Sequence, residues 1–301
     1  MRKPFAPRRM QLLAVLSIFT IFSGAVVAVP KPPDKMKPEE VVAKHLASIG
    51  PADALTATKS IVAMGKAKAI SHNSATRDIL GVGQLASEGD KVVLAMLFDI
   101  LDYPFEKVGY DGQKTTVSIL PATGNRTALG DFLMSQTLIL KEGLFGGTLS
   151  SSWPLLNLAS NNPRLSYAGT KKIDNREVHE LKYAPRKGGG NLLISLYFDA
   201  TTFQHVRTEY QYSVSAQMSS RPEASVGSTA GQQSTSDHYK LIEDFSDFKP
   251  EGKLTLPHTY RIRLQIEKVD ATKNLEFMIN FSQFAFDQPI GAEAFNVGKS
   301  K

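Results

Sequence analysis

Six histidines are the side chains of this 301-residue chain best suited to acid–base catalysis or metal binding. No two of them have the i, i+4 spacing of a helical metal pair, and the chain has no cysteine to act as a soft ligand. Residues 147–150 do not form the motif of a hydrolase nucleophile. We therefore expect each histidine on the surface or on a strand face, although a triad of distant residues stays compatible with the sequence. The six are His45, His72, His179, His205, His238 and His258.

Acidic residues cluster at Glu243, Asp244 and Asp247, and Asp199 stands near a predicted strand end. A pair of carboxylates could serve glycoside hydrolysis or hold a metal ion. Nothing else in the sequence converges on these residues. We interpret them as solvated strand edges that discourage pairing with other chains.

Apolar residues crowded between two groups of strands are the more informative pattern. Two interpretations stay open: a helical segment packed permanently on a sheet, or a lid over an apolar pocket that takes acyl chains. Glycines at 143, 146 and 147 would let such a lid move. The crowded residues are Leu133, Met134, Leu138, Ile139, Leu140, Leu144, Phe145, Trp153, Leu155 and Leu156.

Long strands with one apolar face must position this segment. Residues 254–267 alternate between apolar and polar side chains almost without a break, and residues 204–214 do the same. About a dozen such strands follow one another, with a helix that starts at Pro38 and a second helix at 127–141. A single sheet of that size should curl. The sequence therefore predicts an α+β fold: a curved antiparallel half-barrel of about 11–12 strands, with an N-terminal helix and a central helical lid on its concave side.

The first 28 residues have the pattern of a secretory signal peptide: four basic residues, an apolar run, and small residues at 26–28. An uncleaved membrane anchor is the alternative. Without this segment the formal net charge falls from +6 to +2, so no nucleic-acid partner is indicated. We predict a linker at 29–37, one domain at 38–298 and a disordered loop at 215–237, which is rich in Ser, Gln and Gly.

The chain resembles the LolA-like superfamily of periplasmic lipid and lipoprotein carriers, which includes the receptor LolB. The resemblance lies in the signal peptide, in the helix that runs from Pro38 to Leu46, in Leu196–Phe203 (apolar-Phe-Asp-x-x-Thr) and in Leu254–His258 (L-x-L-P). It implies an incomplete barrel whose helices form a lid over an acyl-binding cavity. The chain is longer than the carrier, and the carrier's cavity arginine has no clear match. Arg77 and Arg126 are candidates by location alone.

The resemblance predicts a non-enzymatic carrier in the periplasm, a monomer without a cofactor or metal. It would take acyl chains of a lipid or lipoprotein from an inner-membrane donor to an outer-membrane acceptor. Two alternatives stay open: a non-catalytic envelope assembly or binding module with a filled core, and a lipid or glycan hydrolase. The predicted lipid-binding residues are Leu129, Phe132, Leu133, Leu138, Leu140, Phe145, Trp153, Leu155, Leu156, Tyr260, Ile262 and Leu264.

Overall fold

The computed structural model describes residues 36–71, 77–215, 236–268 and 271–298. The predicted signal peptide, most of the linker and nearly all of the 215–237 loop lie outside the described residues. Among the residues that are described, no helix combines the length and the apolar character needed to cross a bilayer.

Twelve strands of the described chain form one antiparallel sheet. Their alternating or β-branched sequences favour extended backbone, and turns at Gly89, Gly112 and Gly252 take the positive φ angles that glycine adopts freely. In chain order the strands are β1 (Ser60–Ser71), β2 (Arg77–Glu88), β3 (Lys91–Phe98), β4 (Phe105–Tyr110), β5 (Thr115–Val117), β6 (Arg164–Ile173), β7 (Arg176–Ala184), β8 (Leu193–Asp199), β9 (His205–Ser215), β10 (Ser236–Glu251), β11 (Leu254–Glu267) and β12 (Thr272–Phe286).

The strand order joins two meanders through a pairing between the first and last strands. The sheet runs β5-β4-β3-β2-β1-β12-β11-β10-β9-β8-β7-β6. β1 pairs with β12 from Ile61 opposite Phe286 to Ser71 opposite Leu275. The two edge strands, β5 and β6, are neighbours in sequence. Residues 118–163, which we call the insert, therefore connect one edge of the sheet to the other.

Short helices make up the rest of the described fold. The helix predicted over 127–141 is in fact two helices, because Gln136 leaves the helical conformation with φ −117° and ψ 50°. A helix after Pro51 was not predicted, since Gly50 and Pro51 indicated only the end of the first helix. The α-helices are α1 (Pro38–Ile49), α2 (Ala52–Ala57), α3 (Ala128–Ser135), α4 (Leu138–Lys141) and α5 (Leu158–Asn161), and 3₁₀ turns span Gly147–Leu149, Pro154–Asn157 and Ala292–Phe295.

Contacts of α3 with two distant strands show that the sheet is curved. Thr127, which caps α3, hydrogen-bonds Glu106 on β4, while Phe132 in the same helix stacks on Tyr239 of β10. In a flat sheet β4 and β10 would stand roughly 30 Å apart, at about 4.8 Å per strand. A helix of eight residues can reach both strands only if the sheet wraps around the insert. The predicted fold class, a curved antiparallel sheet with helices on its concave side, is confirmed.

Candidate functional site

The insert brings the predicted lipid-binding residues together on the concave face. Ten of the twelve are buried, and Leu138 and Leu156 are partly buried against the same core. Three of the buried residues, Tyr260, Ile262 and Leu264, lie at alternate positions on β11, so the predicted inward face of that strand is correct. Contact of these residues with a lipid stays a prediction.

The insert packs directly on the sheet rather than above an open pocket. The Phe145 ring meets the Tyr260 ring edge-on at 6.4 Å, and Phe132 stacks on Tyr239 at 6.1 Å. One cavity of about 20 Å³ lies between the insert, α1 and β11. Ligand pockets usually enclose roughly 300–1,000 Å³. This structure therefore shows a closed arrangement, in which an acyl chain could enter only if side chains or the insert moved.

A buried carboxylate on β10 holds the middle of the insert. Glu243 is fully buried, and its Oε1 accepts a hydrogen bond of 2.8 Å from the backbone N–H of Gly146. The Tyr210 hydroxyl donates to Oε2 at 2.6 Å, and the Tyr260 hydroxyl also donates to the carboxylate. Burial raises the pKa of Glu243 to about 7, and the two tyrosine hydrogen bonds oppose that rise. The insert is thus bonded to an ionisable group inside the core.

A second buried carboxylate fixes the start of α3. Thr127 caps this helix, because its Oγ1 accepts from the Gly130 N–H at 2.9 Å. The same hydroxyl donates to Oε1 of Glu106 on β4 at 2.6 Å, and the Tyr103 hydroxyl donates to Oε2. Burial raises the pKa of Glu106 to about 7, against the two side-chain hydrogen bonds. Glu106 therefore links β4 to the helix cap.

Two buried histidines hold the single tryptophan. Nδ1 of His45 lies 3.0 Å from the carbonyl oxygen of Phe203 and must donate to it. Nε2 of His45 is then free to accept the 3.1 Å hydrogen bond from Nε1 of Trp153. The indole ring stacks on His205 at 4.6 Å. Burial lowers the pKa of His45 to about 4 and that of His205 well below its usual value, so the packed form contains neutral rings.

Further contacts fasten the insert at its sides. The Tyr183 hydroxyl on β7 donates to Oε2 of Glu142 at 2.8 Å. The N–H of Ser151 donates to Oγ of Ser87 on β2 at 2.8 Å.

Two glycines of the insert allow it to approach the sheet closely. Gly146 and Gly147 have φ angles of 83° and 50°. A Cβ on Gly147 would stand 2.8 Å from Nδ1 of His205, and one on Gly146 would stand 2.9 Å from a methyl carbon of Leu85. In this structure the glycines therefore serve close packing. A role in lid movement stays a prediction.

Several expectations about polar residues were wrong. Glu243 and Asp244 lie on an interior strand and not on a solvated edge: Asp244 bonds Arg207 at 2.5 Å and Arg263 at 2.6 Å. A surface or strand-face position was expected for every histidine. His205 does lie on a strand, β9, but His45 is fully buried on the helix α1. Arg126 does not reach the core, since it is half exposed and lies 3.5 Å from Asp131. The side chain of Arg77, the other proposed cavity arginine, lies outside the described residues.

The burial of Glu243 has a signal in the sequence. Leu241, Glu243 and Phe245 share one side of β10, because side chains alternate along a strand, and both apolar neighbours are fully buried. A carboxylate between two such residues is expected to face the core. The sequence contains no such signal for the hydrogen-bond partners of this carboxylate, because they come from distant parts of the chain. Within the described chain, no three His, Asp or Glu side chains gather as a metal site.

No family model matches the chain, and no curated protein matches it either. Solved structures of similar shape include a LolA superfamily protein from Nitrosomonas europaea, with 11% identity, 87% of this chain and 98% of that chain covered, and a TM-score of 0.44. A DUF1329 family protein from Desulfovibrio piger has 10% identity, coverage of 87% and 98%, and a TM-score of 0.40. A putative outer membrane lipoprotein-sorting protein domain from Vibrio parahaemolyticus has 14% identity, coverage of 85% and 95%, and a TM-score of 0.37.

These likenesses are distant and concern the fold only. The chain itself has the architecture that was expected from the sequence: one open, curved antiparallel sheet, with the helices of the insert against its concave face.

Proposed function

We propose that this protein is a non-enzymatic carrier that binds an acyl chain of a lipid or lipoprotein between the insert and the concave face of the sheet. One observation supports this most directly. A continuous apolar core is covered by short helical pieces that take no part in the strand ladder of β1–β12. Displacing that cover exposes an apolar surface without breaking the sheet.

The energies allow such an exchange. An acyl chain of about 14 carbons gains roughly 10 kcal/mol when it leaves water, at ~0.8 kcal/mol per CH₂ and before ordering terms are subtracted. A hydrogen bond that anchors the insert contributes only about 1 kcal/mol net. Apolar residues of the insert that separate from the sheet can pack again on the acyl chain. The free energy gained by burying the acyl chain therefore offsets the free energy needed to separate the insert from the sheet. Release to a more apolar acceptor stays possible.

The wider role follows from the N-terminal pattern and the LolA-like fold. We propose a periplasmic monomer that receives its cargo from an inner-membrane donor and delivers it to an outer-membrane acceptor, with no cofactor and no nucleic-acid partner. Cleavage of the signal should leave a mature N-terminus close to Val29. N-terminal sequencing of the exported protein checks this, and a protein that retains Met1 in the membrane would be an anchored form.

The carrier is tested by locking the insert to the sheet. The chain contains no cysteine, so a Ser87→Cys/Ser151→Cys pair would form its only disulfide, at a place where the Ser151 nitrogen and the Ser87 Oγ are 2.8 Å apart. Myristate is titrated while Trp153 fluorescence and bound radiolabel are measured. We expect binding to the reduced protein and loss of binding to the oxidised protein.

The two single-cysteine variants serve as matched controls, since neither can form the intramolecular disulfide. They should bind myristate with or without oxidant. Saturable binding that is equal in the locked and reduced proteins would show that the insert is not a lid. Absence of binding in every form would overturn the carrier.

A second candidate is a binding module with a permanently filled core. The direct packing of Phe145 on Tyr260, and the small size of the 20 Å³ cavity below the insert, favour it. This candidate predicts no myristate binding in any redox state and an unchanged Trp153 spectrum. A hydrolase has less support, because the two histidines that pack around Trp153, His45 and His205, are fully buried.

A further inference from the structure

A cleft of about 600 Å³ opens beside the insert, between α2 and the segment that follows α4. Its floor includes Trp153, and its walls include Leu55 of α2 and Leu156 of the Pro154–Asn157 turn. Its volume is within the range of ligand pockets, roughly 300–1,000 Å³. The cleft is therefore one part of the insert's surroundings that can take a molecule without rearrangement of the sheet.

The cleft adjoins the small cavity of the core. Five residues line both: Leu55, Thr58, Ser151, Trp153 and Leu156. The 20 Å³ cavity is also lined by Ile49, Ile61 and Leu254. All three are buried residues of the core. Leu55 and Leu156 are only partly buried, whereas Trp153 is held by His45. Side-chain movement of the two leucines would thus join the surface to the core.

The chemistry changes along this path. The outer cleft is polar and of mixed charge, with Lys59, Lys141, Asp90, Glu142, Asn157 and Asn161 in its lining. The inner end is apolar except for Ser150 and Thr148, and the Oγ1 of Thr148 is buried without a hydrogen-bond partner among the described residues. A polar cleft outside and largely apolar walls inside match a molecule with a polar head and an acyl tail.

We infer that this cleft is the entry portal for the acyl chain, which passes between Leu55 and Leu156 over Trp153 while its polar head stays in the cleft. The inference rests on the proposed carrier function and assigns a path to it. Entry requires rotation of two leucine side chains and a shift of α2, which is six residues long. Loosening of the insert follows entry and need not precede it.

The test places a plug in the portal. Leu55→Cys is labelled with a bulky biotin maleimide, which reacts at this site alone because the chain has no other cysteine. Uptake of radiolabelled myristate is followed in time. We expect the label to slow uptake by about tenfold or more, as expected when binding must await a rarer opening. The reference is the unlabelled Leu55→Cys variant, so that the effect of the label is separated from that of the substitution itself. Labelled Leu101→Cys, at a position that is 92% exposed and outside the cleft, should take up myristate at the rate of the unmodified protein.

The outcomes separate the portal from the carrier. If labelled Leu55→Cys takes up myristate normally while the Ser87–Ser151 disulfide still blocks binding, the portal is wrong and the carrier stands. If no form binds myristate, both fail. A parallel run with a triacylated dipeptide distinguishes a lipoprotein end from a free acid, and the portal is supported only for a probe that the label slows.

Discussion

Glu243 and His45 show how single ionisable groups tie the insert to the core with opposite dependence on pH. The folded state raises the pKa of Glu243 from 4.5 to about 7, and it lowers the pKa of His45 from 6.5 to about 4. A raised carboxyl pKa means that the folded state binds the proton more tightly, so its stabilising effect is lost as the pH rises from 4.5 to 7. A lowered histidine pKa means the reverse, with stability lost as the pH falls from 6.5 to 4.

The first prediction concerns Glu243→Gln, which removes the titration and keeps the size of the side chain. Because only the unmodified protein loses stability as Glu243 ionises, the substitution should destabilise more at about pH 5 than at about pH 8. The loss of unfolding free energy caused by Glu243→Gln should be larger at about pH 5 than at about pH 8 by up to about 3 kcal/mol, at about 1.4 kcal/mol per pKa unit. Urea unfolding followed by circular dichroism at a series of pH values measures it.

His45→Gln is the matched comparison, and its effect should have the opposite sign. Its destabilisation should be largest above about pH 7 and shrink toward about pH 4.5, because the unmodified histidine loses its stabilising effect in acid. Parallel pH profiles for the two variants would contradict the assignment of these groups.

The second prediction uses two glycines to separate strain from contact. Gly147→Ala forces an alanine into φ 50° and places its Cβ 2.8 Å from His205, whereas Gly124→Ala has a similar φ of 68° and open space around it. Left-handed backbone costs an alanine about 1–2 kcal/mol. Gly124→Ala should lose about that much, and Gly147→Ala clearly more. Equal losses in urea unfolding would mean that the insert does not pack on His205 as described.

Predictability at this scale depends on whether the signal is local. The inward faces of Tyr260, Ile262 and Leu264 could be predicted, since a period of two is a property of one strand. The histidine pair around Trp153 could not, because α1, the insert and β9 meet only in the folded chain. Glu243 lies between these cases. The side of β10 on which it lies could be predicted from the sequence, but its three hydrogen-bond donors could not.

At the scale of elements, the cap of α3 joins the first helix of the insert to strand β4 of the sheet. Thr127 both caps the helix and donates to Glu106, so one hydroxyl serves two buried partners.

The third prediction follows from that double role. Thr127→Ala should destabilise by more than the ~1 kcal/mol typical of a lost cap, because it also removes a donor from a buried carboxylate. Thr127→Ser keeps the hydroxyl and should restore most of the loss. Thermal and urea unfolding of the pair measure this, and a serine variant as unstable as the alanine variant would assign the effect to the lost methyl group.

Strand bounds were easier to predict than helix bounds. β11 has the predicted limits, residues 254–267, and the turn at Gly252 precedes it. The helix predicted over 127–141 divides because Gln136 and Thr137 form a turn that brings α4 onto the core. Apolar spacing alone continues through this turn and does not reveal it.

At the scale of the whole molecule, the sheet and its cover should differ in how they open. The central strands β2, β1, β12 and β11 each have hydrogen-bonded neighbours on both sides, while the insert is held by a few polar contacts and by side-chain packing.

The fourth prediction is therefore a difference in hydrogen exchange. Amides of α3 and α4 should exchange through a local opening of lower free energy than amides of β1 and β12, which should require global unfolding. Addition of myristate should change exchange in the insert and leave the central strands unchanged. Equal protection in both regions would mean that the insert opens only when the protein unfolds, which contradicts a lid.

The topology could be predicted only in part. Consecutive strands pair within β1–β5 and within β6–β12, and the curvature was expected from the number of strands. The pairing of β1 with β12 has no local signature, because each strand has an apolar face that would suit several neighbours. The crossing of the insert between the edges follows from that pairing, so it too was beyond the sequence pattern.

The pairing of β1 with β12 determines when the sheet can finish folding during synthesis of the chain. β1 (Ser60–Ser71) leaves the ribosome long before its partner β12 (Thr272–Phe286). Until then β1 presents an open edge in the middle of the future sheet, where another chain could pair with it. Contacts so distant in sequence form slowly. A chain released before β12 has emerged would be two half-sheets with exposed edges, so we expect nascent chains to depend on a chaperone until β12 has emerged.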